Sequence, residues 1–148
     1  MGISTGSEYL ERLSARRLHV SIDGETVDGD IAAHPHLSGI ARTFARLLDL
    51  HHEQPARLTY PSPTTGEPVP ASFILPRSEA DLVRRRTAVE AETDLTHGFV
   101  QRSGGYMNGA LAALSAAQAF FAQADPVFGE RIARYAEHVR EHGLVTAH

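Results

Sequence analysis

The 148-residue sequence contains no lysine and no cysteine. Without lysine it can offer neither a Schiff-base amine nor the phosphate-gripping lysine of a Walker loop. Without cysteine it can form no disulfide, thiolate nucleophile, cysteine-held zinc site or iron–sulfur cluster. No apolar run approaches the ~18–20 residues of a membrane span. The first residues, Met-Gly-Ile-Ser-Thr-Gly-Ser-Glu, lack the basic and apolar regions of a secretory signal. The expected compartment is therefore the cytoplasm. A net charge of -4 argues against a nucleic-acid partner. No Gly-rich dinucleotide motif of the Rossmann kind occurs.

What is present is the composition of an ordinary globular protein, 42% hydrophobic and 22% charged. The length is one domain's worth and enough to bury a core. Thr5-Gly-Ser-Glu8 fits a capping box and opens a short helix. Leu18–Ile22 alternates as a strand does, Asp23-Gly24 is a two-residue turn signal, and Thr26-Val27 returns. His34-Pro35 is expected to start a second helix, with Leu37, Ile40, Ala41, Phe44, Leu47 and Leu48 on its buried face. Residues 54–78 are dense in proline and glycine, yet carry Tyr60, Val69, Phe73, Ile74 and Leu75. A stretch of this kind is expected to pack against something rather than serve as a linker.

A third helix is capped by Ser78-Glu-Ala-Asp81 and runs through Leu82, Val83 and Val89 to fade near His97-Gly98. Arg84-Arg85-Arg86 reads as a solvated face flanked by Glu79, Asp81, Glu90 and Glu92. A fourth helix is expected from about Tyr106 to Phe121, with Met107, Leu111, Leu114 and Phe120 as its bulky members. Asp125-Pro126 caps a fifth that carries Phe128, Ile132, Tyr135 and Val139 inward and stops at Gly143. Leu144–His148 reads as the start of an extended segment that continues elsewhere. The fold class is mainly α, with a small β-hairpin and a long Pro/Gly-rich loop, in a single domain over 1–148.

The nine histidines are scattered. His51 and His52 are adjacent on a helix and point about 100° apart, a poor bidentate metal site. The stretch with most chemical promise is Gln101-Arg-Ser-Gly-Gly-Tyr-Met-Asn108. It breaks one helical pattern with two glycines and brings the guanidinium fork of Arg102 near the phenolic hydroxyl of Tyr106. From the residues alone, Arg102 serves equally as a helix-end ion-pair partner and Tyr106 as a core ring.

Seven segments in order resemble the N-terminal domain of the 4-hydroxyphenylacetate 3-monooxygenase oxygenase-component family. They are Thr5-Gly-Ser-Glu-Tyr-Leu-Glu, Ile22-Asp-Gly-Glu, His34-Pro35, Leu58-Thr-Tyr-Pro-Ser-Pro-Thr-Thr-Gly-Glu-Pro-Val, Phe73-Ile-Leu-Pro-Arg-Ser, Arg102-Ser-Gly-Gly-Tyr-Met-Asn and Arg140-Glu-His-Gly-Leu. The resemblance implies an acyl-CoA dehydrogenase-like fold whose flavin-binding β-domain and C-terminal helical bundle are absent here. It implies an oxygenase that takes reduced FAD from a separate flavin reductase, forms a flavin hydroperoxide and hydroxylates a phenol ortho to its hydroxyl group. It also implies that Arg102, Tyr106 and His148 hold the phenol, although Ala147 stands where the family usually has threonine. A guanidinium and an imidazole beside the phenolic oxygen would favour the phenolate.

The related 4-hydroxybutyryl-CoA dehydratases hold an iron–sulfur cluster on cysteines, which this chain lacks. The expectation is a substrate-side domain or split subunit, inactive alone, that associates with a chain carrying the missing domains or with itself. The competing expectation is a non-catalytic helical interaction module or truncated relic of the same family.

Overall fold

The computed structural model describes residues 3–16, 18–99 and 104–146. The capping-box reading at Thr5 holds: its hydroxyl accepts Glu8 N–H, and Glu8 returns the bond to Thr5 N–H. Helix α1 (Gly6–Ala15) follows from it. A two-stranded hairpin, β1 (Val20–Ile22) and β2 (Glu25–Val27), turns through Asp23 and Gly24, both at positive φ. That is the primed turn whose twist matches a hairpin.

Helix α2 spans Ser38–Glu53, not His34 onward. Residues 31–37 form successive turns instead, in which His34 O accepts both Leu37 and Ser38 N–H, while His36 N–H bonds the His34 ring nitrogen Nδ1. Its buried face comprises Ala41, Ala45, Leu47, Leu48, Leu50 and His51; Ile40 is exposed.

The proline-rich stretch is packed, as its apolar residues suggested. It contains the short helix α3 (Pro55–Leu58) and a ladder of β3 (Thr59–Pro61) with β4 (Pro68–Pro70). A single 3₁₀ turn, Ala71–Phe73, completes it. The prolines sit at the ends of a two-stranded ladder, where a missing N–H costs least. Leu58, Val69 and Ala71 are wholly buried, at 0% exposure.

Helix α4 (Glu79–Thr96) has the Ser78–Asp81 capping box. It buries only Ala88 and Ala91, so Leu82, Val83 and Val89 are exposed rather than core residues. The expected single fourth helix is two: α5 (Gly105–Ala116) and α6 (Gln118–Phe121). The ladder breaks at Ala117, whose N–H is shared among the Ala113, Leu114 and Ser115 carbonyls. Asp125 caps α7 (Pro126–Glu141), which crosses α6 closely enough that a Cβ at Gly129 would lie 2.6 Å from Gln118 O. Gly129 is buried at that crossing, Ala136 and Val139 against Phe73 and α5, and Phe128 and Tyr135 stay outside, against expectation. Leu114 and Phe120 are likewise exposed.

Two apolar clusters form the core. One joins Leu50, Leu58, Ala71, Ile74, Ala88 and Ala91; the other joins Phe73, Leu111, Ala112, Ala136 and Val139. Tyr60 packs against both, so residues 58–74 lie between the α2–α4 side and the α5–α7 side. Glu141 ties the same stretch to α7, accepting from Ser62 Oγ (2.6 Å) and Thr65 Oγ1 (2.7 Å). Burial pushes its carboxyl up, but the bonds from Ser62, Arg140 and Thr65 outweigh it and hold the pKa below the usual value. Among the described residues no helix is long and apolar enough to cross a membrane.

Leu58→Ala should cost about 2–5 kcal/mol of unfolding free energy, because the vacated volume has no route to collapse. Leu82→Ala on the exposed side of α4 should stay within about 0.5 kcal/mol of the parent. Urea titration of both variants checks the pair, and equal midpoints would contradict this core.

Candidate functional site

Three chain ends converge on one cavity. Helix α4 stops where His97 takes a left-handed conformation (φ 50) and Gly98 N–H bonds back to Thr93 O at 3.1 Å. Helix α7 stops in a Schellman-type turn: Gly143 has φ 55, and Leu144 N–H reaches Val139 O at 3.1 Å. Leu144 also packs on the cluster containing Val139, the apolar contact that usually accompanies this turn. The turn sends residues 144–146 back towards the start of α5, where Gly104 N–H donates to Thr146 O at 3.0 Å. Gly104 has φ 49 and ψ -108, a conformation that glycine takes without steric penalty.

Between α2, α4, the start of α5 and this returning segment lies a cavity of about 710 Å³. Phe44, Leu47, Leu48, Val89, Leu144 and Val145 supply its apolar wall. Arg85, His51, Glu92, Asn108 and Tyr106 supply its polar groups. Apolar walls with a few convergent polar groups are the usual make-up of a small-molecule site.

The deepest polar feature is the pair His51 and Glu92, with side chains only 7% and 19% exposed. His51 Nδ1 lies 2.8 Å from Leu47 O. A carbonyl can only accept, so Nδ1 carries the proton and Nε2 is the bare acceptor of a neutral ring. Nε2 has no hydrogen-bond partner and stands 3.8 Å from Glu92 Oε1, too far for a direct bond. Burial lowers the His51 pKa, and its hydrogen bond to Leu47 opposes this only in part. Burial raises the Glu92 pKa to about 7, against the pull of the Gly105 N–H that bonds it. Burial thus favours the neutral form of each group, and at 3.8 Å no proton is shared between them. Asn108 gives Nδ2–H to Ser72 Oγ at 3.0 Å and leaves Oδ1 buried and unpartnered.

Of the residues expected at the site, Tyr106 lines the cavity at its rim, 58% exposed. Arg102 and His148 lie outside the described residues. The adjacent histidines diverge: His51 faces the cavity, and His52 Nε2 meets Ser4 O at 3.3 Å. The three consecutive arginines spread around α4, and the expected pairing with Glu90 is made by one of them. Arg86 pairs with Glu90 at 2.8 Å, Arg84 donates to Thr59 O at 2.7 Å, and Arg85 lines the cavity. Sequence reasoning missed His51, Glu92, Arg85 and Asn108 as site residues. The only available signal was that Glu92 follows Ala88 by four residues on an otherwise charged helix, which sets it on a buried face.

These features define a helical domain presenting a small-molecule cavity at the break before α5. Residues 5–148 match the family model described as 4-hydroxyphenylacetate 3-hydroxylase N terminal, and the chain belongs to that family. It is 38% identical over 148 residues to the 4-hydroxyphenylacetate 3-monooxygenase oxygenase component of Geobacillus sp., covering 100% of this chain and 30% of that protein. The crystal structure of a 4-hydroxyphenylacetate 3-monooxygenase oxygenase component complexed with FAD and 4-hydroxyphenylacetate superposes with a TM-score of 0.82. The identity there is 34%, over 93% of this chain and 28% of that one. An archaeal 4-hydroxybutyryl-CoA dehydratase from N. maritimus shares the fold, with a TM-score of 0.71 at 21% identity over 93% of this chain and 27% of its own. The chain thus spans less than a third of the length of the relatives it matches.

Glu92 and His51 make opposite contributions to stability as pH changes. The folded chain keeps the Glu92 proton up to about pH 7, whereas an unfolded chain loses it near 4.5. Stability therefore falls as pH rises through that window. For His51 the unfolded chain takes up a proton near its ordinary 6.5 that the folded chain resists, so stability falls as pH drops through that value. Glu92→Gln removes only the first effect. Its stability relative to the parent should improve from pH 5 to pH 8 by on the order of 2 kcal/mol. Urea unfolding at both pH values measures this, and a pH-independent difference would mean that Glu92 ionises normally.

Proposed function

We propose that this chain is the substrate-side domain, or a split subunit, of a reduced-flavin-dependent monooxygenase that hydroxylates a phenol ortho to its hydroxyl group. The observation that carries the reading is the cavity beside Gly104–Tyr106 in a chain of this family. A phenol needs an apolar slot for the ring and directed polar groups for its oxygen. In this reading Arg102 and His148 stabilise the phenolate, and the Tyr106 hydroxyl fixes the direction of its oxygen. The Gly104–Thr146 bond supports the grouping, since these residues are two positions from Arg102 and from His148.

The described residues do not suit FAD itself. Both sheets are two-stranded antiparallel hairpins, and no strand–helix–strand unit is there to present a phosphate loop. The flavin, supplied reduced by a separate reductase, is then held by a β-domain and helical bundle outside this sequence. The isolated chain is expected not to hydroxylate. A second reading, a non-catalytic interaction module that binds a partner chain or itself, is favoured by the exposed Phe99, Phe120, Phe128 and Tyr135. The proposed compartment is the cytoplasm.

Titrating the chain with 4-hydroxyphenylacetate by calorimetry tests the phenol reading. Arg102→Ala should weaken binding at least tenfold, because a charge-assisted bond is lost. Tyr106→Phe should weaken it about threefold to tenfold. Binding that neither variant alters would remove these residues from the site. Copurification from the native host then separates the two readings: a flavin-bearing partner supports the monooxygenase, and a colourless one the module.

A further inference from the structure

Helix α5 cannot cap itself. Its N-cap is Gly104, which has no side chain to accept the exposed N–H groups of the first turn. The acceptor comes from another helix. Glu92 reaches from α4 to the first residue of α5: a Cβ on Gly105 would sit 2.6 Å from Oε2 and 3.4 Å from Cδ. The carboxyl thus lies against the first residue of α5, and the Gly105 backbone draws its pKa down against the burial that raises it. Gly104 is required by its backbone angles, and the absence of a side chain at Gly105 lets the carboxyl lie close against it. On the far side of the junction Gly104 N–H holds Thr146 O. Behind the carboxyl stands His51, its Nδ1 committed to Leu47 O and its Nε2 buried and unpartnered.

We infer that Glu92, backed by His51, is a positioning residue of the phenol site: its carboxyl caps α5 from α4 and fixes the Gly104–Gly105 junction from which Tyr106 projects. The inference rests on the phenol reading above for the word site, and on the junction geometry for the rest. An ionised carboxylate is the stronger acceptor for an N–H and interacts favourably with a helix N-terminus. A protonated one keeps an acceptor oxygen but loses the charge. Deprotonation therefore tightens the junction, and phenol affinity rises with pH through the ionisation of Glu92. Among the described residues, the titratable or charged groups that share the cavity with it are His51 from α2, Arg85 from α4 itself and Tyr106 from α5. The segment 143–145 brings none.

Two measurements on the chain test this. The first needs no ligand: ¹⁵N-resolved NMR follows the Gly105 amide between pH 5.5 and 8.5. It should titrate with a midpoint near 7, and the titration should vanish in Glu92→Gln, whose amide oxygen still accepts the bond. A flat Gly105 amide, or one that titrates unchanged in Glu92→Gln, overturns the inference. The second uses unsubstituted phenol, which keeps its proton across this range because its pKa is near that of tyrosine, about 10.

Parent affinity should rise roughly threefold to tenfold from pH 6 to pH 8, a shift within the range of a lost charge-assisted bond. Glu92→Gln should bind with one affinity at both pH values. Glu92→Ala should bind weakly at both while its circular dichroism stays that of the parent. A pH dependence that survives in Glu92→Gln overturns the positioning role. If Gly105 titrates but phenol binds at no pH, the phenol reading fails and the site role of Glu92 with it, while the interhelical cap stands.

Discussion

The burial of the two arms of the 58–74 stretch, on either side of its exposed tip at 63–68, is the constraint on which everything else depends. This stretch has no room for a helix, with prolines at 61, 63, 68 and 70 and Gly66. It nevertheless contributes Leu58, Val69 and Ala71, all wholly buried, and Phe73 and Ile74 nearly so. Helices α2 and α4 on one side and α5 and α7 on the other would otherwise have to meet face to face. Here they meet an extended segment whose side chains fill both sides, with Tyr60 touching both clusters. The polar backbone of such a segment needs partners if it is buried. It finds them in the three-residue ladder, in Arg84 reaching Thr59 O, and in Ser62, whose N–H bonds Glu67 O and whose carbonyl accepts Gly66 N–H. Remove that wedge and neither cluster keeps its second wall.

The cavity follows from the same arrangement. Because the wedge separates α2 and α4 from α5 and α7, the ends of α4, α5 and α7 cannot close on one another. The space left is lined by the few polar groups those helices turn inward. His51 and Glu92 are costly residents there, since burying ionisable groups without full pairing penalises their charged forms. Keeping both groups neutral is the least costly arrangement. It gives the cavity an acceptor in His51 and a titratable carboxyl in Glu92 beside the start of α5. Membership of the 4-hydroxyphenylacetate 3-hydroxylase N-terminal family gives this architecture a chemical context. The chain spans less than a third of the length of the relatives it matches.

Much of the fold was legible from local signals, and its errors share one cause. The capping boxes at Thr5 and Ser78, the Asp125 cap and the Asp23-Gly24 hairpin involve residues within a few positions of each other. Backbone geometry alone settles them. Two of the inward residues expected on α7, Phe128 and Tyr135, were misjudged because bulk was taken as burial. Alanines and a glycine make the close contacts, and Leu82, Val83, Phe128 and Tyr135 point away. Helix–helix distance selects small residues at a crossing, and no periodicity within one helix reports that distance. The break at Ala117 is of the same kind, forced by α7 packing on Gln118.

The amino-acid sequence by itself determined the family, the ordered motifs from Thr5 to Leu144, the helix caps and the candidate residues Arg102, Tyr106 and His148. These rest on residue identity and short spacings. Only the tertiary structure decided that Glu92 is a buried cap rather than one more acid beside three arginines. It alone decided that His51 parts from His52, that Arg85 parts from Arg86, and that Gly104 meets Thr146. Each of these depends on which side chain is taken out of water and beside what, and desolvation is a property of the assembled fold rather than of any local stretch.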